Sequence, residues 1–228
     1  MIGLLDSGTG GECTLCEIRR IYPSCDAVLL KDVKNAPYGT KSREELISIV
    51  SENIRTLRAF GADTVIIACC TASCIWDDLP RDVRDVSHPI IDPTVKRARE
   101  LTGGGGVAVI ATDGTVRSGA FSSRLGSLCR VEVALGELVS LVEGGLSDAT
   151  VTDREYRILY RMLSVIGGFG CDTLILGCTH FPALEMTISE IAKKLGIKNT
   201  VSSAREGASL TQDMSYPCLF GSGKTVRI

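Results

Sequence analysis

The chain has 228 residues, of which 44% are hydrophobic and 23% are charged, so it can bury one large or two small cores. A formal net charge of −2 and the lack of a dense Lys/Arg block argue against a nucleic-acid-binding surface, and no apolar run is long enough to span a bilayer. Small molecules are therefore the expected partners, rather than nucleic acid or a membrane.

In the first half, short apolar runs alternate with amphipathic segments, which is typical of a parallel α/β fold. Strands are predicted at Ile2–Leu5, Ala27–Leu30 and Thr64–Ala68, and helices at Thr9–Tyr22, Ser42–Phe60 and from about Ala72. Residues 89–93 predict a short strand and crossing point, with Pro93 near the start of a helix that runs through Arg99.

A turn at residues 103–106 opens a second half that repeats this pattern. Strands are predicted at Val107–Ala111, Val131–Ala134 and Thr173–Leu176, and helices around Gly136–Glu143, at Asp153–Ile166 and at Pro182–Leu195. The alternation predicts two βαβ-type units with right-handed crossovers. By symmetry, the tail beyond Ile197 is expected to return and pack on the first half.

Two of the predicted strands carry nearly the same sequence, and a cysteine follows each. Residues 61–69 read Gly-Ala-Asp-Thr-Val-Ile-Ile-Ala-Cys, and residues 170–178 read Gly-Cys-Asp-Thr-Leu-Ile-Leu-Gly-Cys. Such runs indicate strands buried on both faces, with Cys69 and Cys178 at their carboxyl ends. Open α/β sheets bind ligands at that edge. The repeat therefore predicts two half-domains that each offer one thiol to a shared cleft, which suits proton transfer from one face of a substrate to the other.

Buried structural cysteines are the alternative, because thiols in apolar surroundings are inert. The residues that follow each thiol favour a site instead: Cys-Thr-Ala-Ser at residues 70–73, and Thr-His-Phe-Pro at residues 179–182. Small hydroxyl residues at a strand-to-helix turn can direct hydrogen-bond donors at a carboxylate. The sequence thus predicts two thiols beside an anion-binding cradle.

The ten cysteines are expected to be reduced, because the chain is rich in core residues and its first six residues do not resemble a signal peptide. We therefore expect a cytoplasmic protein. A zinc site at Cys69, Cys70 and Cys74 lacks the usual paired Cys-x2–4-Cys halves, and residues 8–11 lack the G-x-G-x-x-G spacing of a dinucleotide site. Neither a metal nor a cofactor is expected.

Several short motifs follow one another along most of the chain. They are Asp6-Ser7-Gly8-x-Gly10-Gly11, Asp32, Pro37-Tyr38-Gly39-Thr40-Lys41-Ser42, Ala68-Cys69-x-Thr71-Ala72-Ser73, Thr112, Thr115, Ser118, Val142-Glu143 and Leu176-Gly177-Cys178-Thr179-His180-x-Pro182. In this order they resemble the glutamate racemases of the aspartate/glutamate racemase superfamily. The resemblance implies two pseudosymmetric α/β domains with mainly parallel sheets and the active site in the cleft between them. The first domain is expected at residues 1–93 plus about 187–228, and the second at residues 94–186.

The same resemblance implies a cofactor-independent isomerase that interconverts L- and D-glutamate by a two-cysteine, two-base proton transfer and supplies D-glutamate for peptidoglycan. Cys69 and Cys178 resemble the catalytic acid/bases, and Asp6, Glu143 and His180 resemble the residues that assist them. The residues that resemble the substrate-binding set are Ser7, Pro37, Tyr38, Gly39, Cys70, Thr71, Thr112, Thr115 and Thr179. A homodimer is compatible with the resemblance.

The chain departs from the family pattern at one position of this set. The family's Ala-Cys-Asn-Thr-Ala-Ser reads Ala-Cys-Cys-Thr-Ala-Ser at residues 68–73. An amide donates and accepts hydrogen bonds, whereas the thiol of Cys70 is a weak partner for either, so a substrate group left underpaired would cost about 1–3 kcal/mol. Two alternatives follow: a racemase of another amino acid such as aspartate, or a non-catalytic paralogue that binds an amino acid or a protein partner.

Overall fold

Two four-stranded parallel sheets form the framework of the computed structural model, which describes residues 1–213. The first sheet contains β1 (Ile2–Asp6), β2 (Ala27–Lys31), β3 (Thr64–Ile67) and β4 (Ser87–Pro89), in the order β2-β1-β3-β4. The second contains β5 (Gly106–Ala111), β6 (Cys129–Ala134), β7 (Cys171–Gly177) and β8 (Asn199–Ser202), in the order β6-β5-β7-β8. The sheets share one topology, which confirms the predicted fold class of two α/β domains.

Parallel neighbours need crossover connections, and helices supply them. In the first half these are α1 (Gly11–Ile21), α2 (Arg43–Ala59), α3 (Cys70–Ser73), α4 (Arg81–Arg84) and α5 (Ile91–Leu101). In the second half they are α6 (Asp113–Ser118), α7 (Ala120–Leu125), α8 (Glu137–Glu143), α9 (Asp153–Leu163), α10 (Glu185–Lys194) and α11 (Ser203–Asp213). Short 3-10 turns occupy residues 33–35, 38–40, 76–78, 126–128, 164–166 and 181–184. None of the helices within residues 1–213 has the length and apolar character that crossing a membrane requires.

The expected strand at residues 89–93 is wrong beyond its first residue. The strand β4 ends at Pro89, and α5 already begins at Ile91. Pro93 is compatible with this early start because the first turn of a helix leaves its N–H groups without intrahelical partners, so the missing N–H of proline costs nothing there. The helix expected from Ala72 is instead the single turn α3, which begins at Cys70.

Alternate residues of the central strands face different cores, as a period of two requires. Leu4 of β1 and Val109 of β5 belong to one apolar cluster that lies between the sheets and is shared by both halves. Leu5 faces a second cluster with residues of α2, and Ile110 faces a third with residues of α9 and α10. The shared cluster therefore fixes one sheet against the other and sets the position of their carboxyl ends.

The last described elements connect the two halves. The strand β8 pairs with β7 at the edge of the second sheet, and α11 packs against α1 and α5. The proposed domain division, with residues 1–93 plus about 187–228 in one domain and residues 94–186 in the other, stays a prediction. Residues 214–228 of that division lie outside the described part of the chain.

The turn between β1 and α1 approaches the second half closely at Gly10. A Cβ atom at this position would collide with Thr179 Oγ1 and would lie 3.0 Å from His180 Nδ1. At Gly8, by contrast, a Cβ atom would meet Glu143 Oε1 at 3.6 Å and the ring of His180 at 3.9 Å, which are ordinary contacts. Glycine at position 10 is therefore what lets the two halves meet at this point.

We predict that Gly10→Ala lowers the free energy of unfolding by about 1–3 kcal/mol, because the added methyl group overpacks a contact between the halves. Urea denaturation of the full chain measures the change, with Gly8→Ala as the matched control two residues away. Equal stabilities of the two variants would contradict the close approach seen at Gly10.

Candidate active site

A cavity of about 570 Å³ lies at the carboxyl ends of both sheets. Its walls are the segments that follow β1, β2, β3, β5, β6 and β7. Side chains at the ends of parallel strands converge at one edge, so residues far apart in sequence meet here. The two halves contribute to a single cavity, as the repeated strand-plus-cysteine segments predicted.

Twelve of the fourteen residues expected at the site line this cavity. They are Ser7, Pro37, Tyr38, Gly39, Cys69, Cys70, Thr71, Thr112, Glu143, Cys178, Thr179 and His180. Asp6 and Thr115 are fully buried and do not line the cavity, but each hydrogen-bonds to a residue that does. The structure thus brings the expected residues together, while their individual roles stay predictions.

The thiols of Cys69 and Cys178 both face this cavity and are both 6% exposed. Burial, with a smaller contribution from the nearby charge of Asp6, raises the pKa of Cys69 to about 11, against hydrogen bonds from the Ala72 and Ser7 backbone and from the Ser7 hydroxyl. Burial also raises the pKa of Cys178, and the charge of a Cys69 thiolate adds to that rise. The two sulfurs are therefore close enough to influence each other, and their buried surroundings favour two neutral thiols.

A histidine lies next to Cys178, and a glutamate lies next to that histidine. His180 Nδ1 lies 3.7 Å from Cys178 Sγ, and His180 Nε2 lies 3.3 Å from Glu143 Oε1 and 3.3 Å from Thr9 Oγ1. An imidazole between a carboxylate and a thiol can accept a proton from one side while the carboxylate stabilises the resulting charge. Cys69 has a different partner, the Ser7 hydroxyl at 3.5 Å, so the two thiols have unequal surroundings.

Asp6 joins the two halves from behind the cavity wall. Its Oδ1 accepts a 2.8 Å hydrogen bond from the Gly8 N–H, and its Oδ2 accepts a 3.0 Å bond from the Thr179 hydroxyl. Burial raises the pKa of this carboxyl, and the hydrogen bonds and His180 oppose that rise only in part. Asp6 therefore fixes the turns that follow β1 and β7, which carry Ser7 and Cys178.

Three threonine hydroxyls form a closed group between the halves. Thr71 Oγ1 lies 3.0 Å from Thr112 Oγ1 and 3.1 Å from Thr115 Oγ1, and the latter two are 3.0 Å apart. Thr71 follows β3 of the first sheet, whereas the other two follow β5 of the second. Because each hydroxyl can donate one hydrogen bond and accept two, the group can turn its donors toward an anion in the cavity.

A buried network holds the turn at residues 38–40. The Tyr38 hydroxyl donates to Asp32 Oδ2 at 2.7 Å, and the amides of Asn35 and Asn53 donate to the same carboxylate at 2.8–2.9 Å. Burial raises the pKa of Asp32, but these hydrogen bonds outweigh it and leave the pKa lowered. Burial and the Asp32 carboxylate raise the pKa of Tyr38, so its phenol stays neutral and acts as a donor.

Cys70, the residue that departs from the family pattern, contributes to the wall in an unexpected way. Its thiol is 2% exposed and donates a 3.3 Å hydrogen bond to the Ser203 hydroxyl at the start of α11. Burial raises the pKa of Cys70 well above its usual range. The polar contact of this side chain is thus with α11, and Ser203 does not line the cavity.

Sequence reasoning missed several residues of the wall. They are Gly8, Ala36, Thr40, Asp113, Arg117, Gly136, Val139, Ser140 and Gly177. Asp113 and Arg117 belong to α6, which was not predicted because its six residues are too few to show helical periodicity. Asp113 and Arg117 lie between Thr112 and Ser118, two residues that carry the family resemblance, and this position was the signal that could have identified them. Among residues 1–213, no three His, Cys, Asp or Glu side chains group closely enough to hold a metal ion.

Comparison with known proteins gives a consistent result. The model of the Asp/Glu/Hydantoin racemase family matches residues 18–207. The glutamate racemase of Persephonella marina is 37% identical over 203 residues, which cover 86% of this chain and 76% of that protein. Glutamate racemase isoform RacE1 from Bacillus anthracis is 30% identical with a TM-score of 0.83, covering 99% of this chain and 85% of its own. The glutamate racemase of Thermus thermophilus, solved with β-chloro-D-alanine, is 28% identical with the same TM-score, covering 99% of this chain and 86% of its own.

The raised thiol pKa values predict how the site cysteines react with alkylating reagents. Because only the thiolate is nucleophilic, the alkylation rate of Cys69 should rise about tenfold per pH unit between pH 7 and 9.5, below its pKa of about 11. Iodoacetamide labelling followed by peptide mass spectrometry measures this rate, with the exposed Cys16 as an internal control for reagent activity. A rate that is already at its plateau at pH 7 would contradict a buried neutral thiol.

Proposed function

Because the chain belongs to the Asp/Glu/Hydantoin racemase family, we propose that it is an isomerase that interconverts L- and D-glutamate without a cofactor. The observation that carries this proposal is the pair of thiols, Cys69 and Cys178, that open from topologically equivalent strands onto one cavity. Curated relatives at 33–37% identity over most of the chain are named glutamate racemases, which supports glutamate as the substrate.

The proposed chemistry needs one base and one acid on opposite faces of the substrate. One cysteine, as thiolate, removes the α-proton, and the other, as thiol, returns a proton to the opposite face of the same carbon. The electron pair of the broken C–H bond rests on the α-carbon and its carboxylate until the new bond forms. The roles of Cys69 and Cys178 exchange in the reverse direction, so a site built from two similar halves serves both directions.

Burial disfavours the thiolate that this step requires, so the bound substrate has to help form it. The α-ammonium group brings a positive charge into the cavity, and an opposite charge nearby lowers the pKa of a thiol. On the side of Cys178, the imidazole of His180 and the carboxylate of Glu143 offer an acceptor for the thiol proton. Asp6 holds the turns that follow β1 and β7 and thereby positions Ser7 and Cys178.

The hydroxyl-rich wall supports the second requirement, which is to stabilise the charge that develops on the substrate. Without a cofactor as an electron sink, aimed donors have to hold the substrate carboxylate as it gains charge. The hydroxyls of Thr71, Thr112 and Thr115 form the cluster that bridges the two halves. Ser7 and Thr179 lie beside the thiols. These donors are fixed by the fold before the substrate arrives.

The proposed setting of this reaction is the cytoplasm, with the product D-glutamate used for peptidoglycan and thus for cell-wall biogenesis and cell shape. The three cysteines of the cavity wall, Cys69, Cys70 and Cys178, are free thiols, which is consistent with a reducing compartment. A homodimer is also proposed from the family resemblance. Sedimentation equilibrium of the full chain tests it, and a monomer across the micromolar range would contradict it.

We predict that L-glutamate in deuterated water yields D-glutamate that carries α-deuterium, while early recovered L-glutamate keeps its proton. Two monoprotic thiols on opposite faces produce this asymmetry, because the acid that protonates the product has exchanged with solvent. Cys69→Ser and Cys178→Ser should each slow racemisation by about 10²- to 10⁴-fold, the usual contribution of one acid–base group. Circular dichroism with NMR or mass spectrometry follows both quantities.

Cys16→Ser, at an exposed position away from the cavity, is the matched control and should racemise glutamate like the unmodified chain. Deuterium appearing equally fast in substrate and product would contradict the two-base mechanism. Binding of glutamate without any exchange from either enantiomer would indicate a non-catalytic paralogue. A panel of amino acids, with aspartate included, tests whether another substrate is turned over faster.

Replacing Cys70 by Asn tests what the departure from the family pattern does. We expect Cys70→Asn to raise kcat/KM for glutamate about tenfold, because an amide at the wall adds a strong hydrogen bond to the substrate. Cys70→Ser is the matched control, since it keeps a small side chain that can bond Ser203 without reaching further. An unchanged kcat/KM in the folded Asn variant would show that this position does not limit the site.

A further inference from the structure

The cavity wall contains one basic side chain that the proposed chemistry does not use. Arg117, on α6 of the second half, donates a 2.7 Å hydrogen bond from Nη2 to the backbone carbonyl of Gly39, in the turn at residues 38–40 of the first half. No carboxylate within residues 1–213 forms an ion pair with it. A guanidinium has five N–H donors, so Arg117 keeps both its charge and further donors for a ligand.

The fold holds this guanidinium in place at the cavity. Gly114, one turn before Arg117, packs directly on the turn from the first half: a Cβ atom there would lie 2.8 Å from Gly39 Cα and 3.1 Å from its carbonyl oxygen. Tyr38, beside Gly39, is in turn anchored by its hydrogen bond to Asp32. The backbone carbonyl that Arg117 contacts is therefore held in place, and this hydrogen bond keeps the exposed guanidinium at the cavity wall.

The carboxylates around the cavity explain why this cation favours an acidic ligand. Asp113 and Glu143 line the wall, and Asp6 lies buried behind it. Of the described residues that line the cavity, Arg117 is the one lysine or arginine. A substrate with a second carboxylate would meet these acidic groups without a neighbouring lysine or arginine if this guanidinium were absent. Asp113, Arg117 and Glu143 are exposed, so these interactions are screened by salt.

We propose that Arg117 determines specificity by binding the side-chain carboxylate of the substrate, which rests on the proposed function in that the amino acid occupies this cavity. One N–H group stays on the Gly39 carbonyl and fixes the orientation of the guanidinium. The remaining N–H groups face the incoming carboxylate and provide charge-assisted hydrogen bonds. The positive charge of this residue distinguishes a dicarboxylic amino acid from its neutral amide.

Calorimetric binding of D-glutamate and D-glutamine to the full chain tests this proposal, together with racemisation kinetics. Arg117→Gln should weaken glutamate binding roughly ten- to a hundredfold, the value of a charge-assisted hydrogen bond, and should leave glutamine binding within about threefold. Arg117→Lys should stay close to the unmodified chain, because it keeps the charge. Arg161→Gln, at an exposed position on α9 outside the cavity wall, is the matched control and should change neither affinity.

Salt provides a test that needs no substitution. Glutamate affinity of the unmodified chain should fall with ionic strength more steeply than glutamine affinity, and Arg117→Gln should remove that difference. Equal loss of glutamate and glutamine binding in Arg117→Gln, or the same glutamate affinity as in Arg161→Gln, would overturn the proposal. Binding is measured apart from turnover. A chain that binds glutamate without racemising it would therefore contradict the proposed reaction, and the binding of the Arg117 variants would still decide the role of Arg117. A chain that does not bind glutamate contradicts both.

Discussion

Cys69 and Cys178 are buried at the ends of β3 and β7, and burial raises the pKa of both thiols. A buried thiol is a poor base, so a site that uses two of them has to supply charge and donors at fixed positions. The shared apolar cluster between the sheets provides the fixed frame, and the Asp6–Thr179 hydrogen bond ties the two turns together behind the sulfurs. The glycine at position 10 permits that approach. The positions of the two buried thiols therefore depend on this contact between the two halves.

The two halves share one topology but differ in the chemistry around each sulfur. Cys178 has the His180–Glu143 pair within reach, whereas Cys69 has the Ser7 hydroxyl. Racemisation in both directions requires each cysteine to act as the base in one of them. Because the neighbours of the two thiols differ, the charges of the bound substrate have to help each thiol lose its proton. The cations that reach the cavity then matter as much as the thiols, because the α-ammonium group and the guanidinium of Arg117 counter an otherwise acidic wall.

The strongest signals in the sequence were local ones. Buried β-branched runs predicted the central strands, and the repeated cysteine segments predicted a shared cavity. Short elements carried too few residues for a periodic signal, so α6 was missed and Arg117 with it. The helix at Pro93 was predicted, but its start at Ile91 was placed too late because the β-branched pair Ile90 and Ile91 was assigned to the preceding strand. The contact between Cys70 and Ser203 joins residues far apart in sequence, and no local pattern could predict it.

A crystal structure of the full chain with D-glutamate would show where the substrate lies relative to the two sulfurs. We expect the α-carbon to lie between Cys69 Sγ and Cys178 Sγ, with one sulfur on each face and the carboxylate among the hydroxyl groups. Both sulfurs on the same face of the α-carbon, or an amino acid bound away from them, would contradict it.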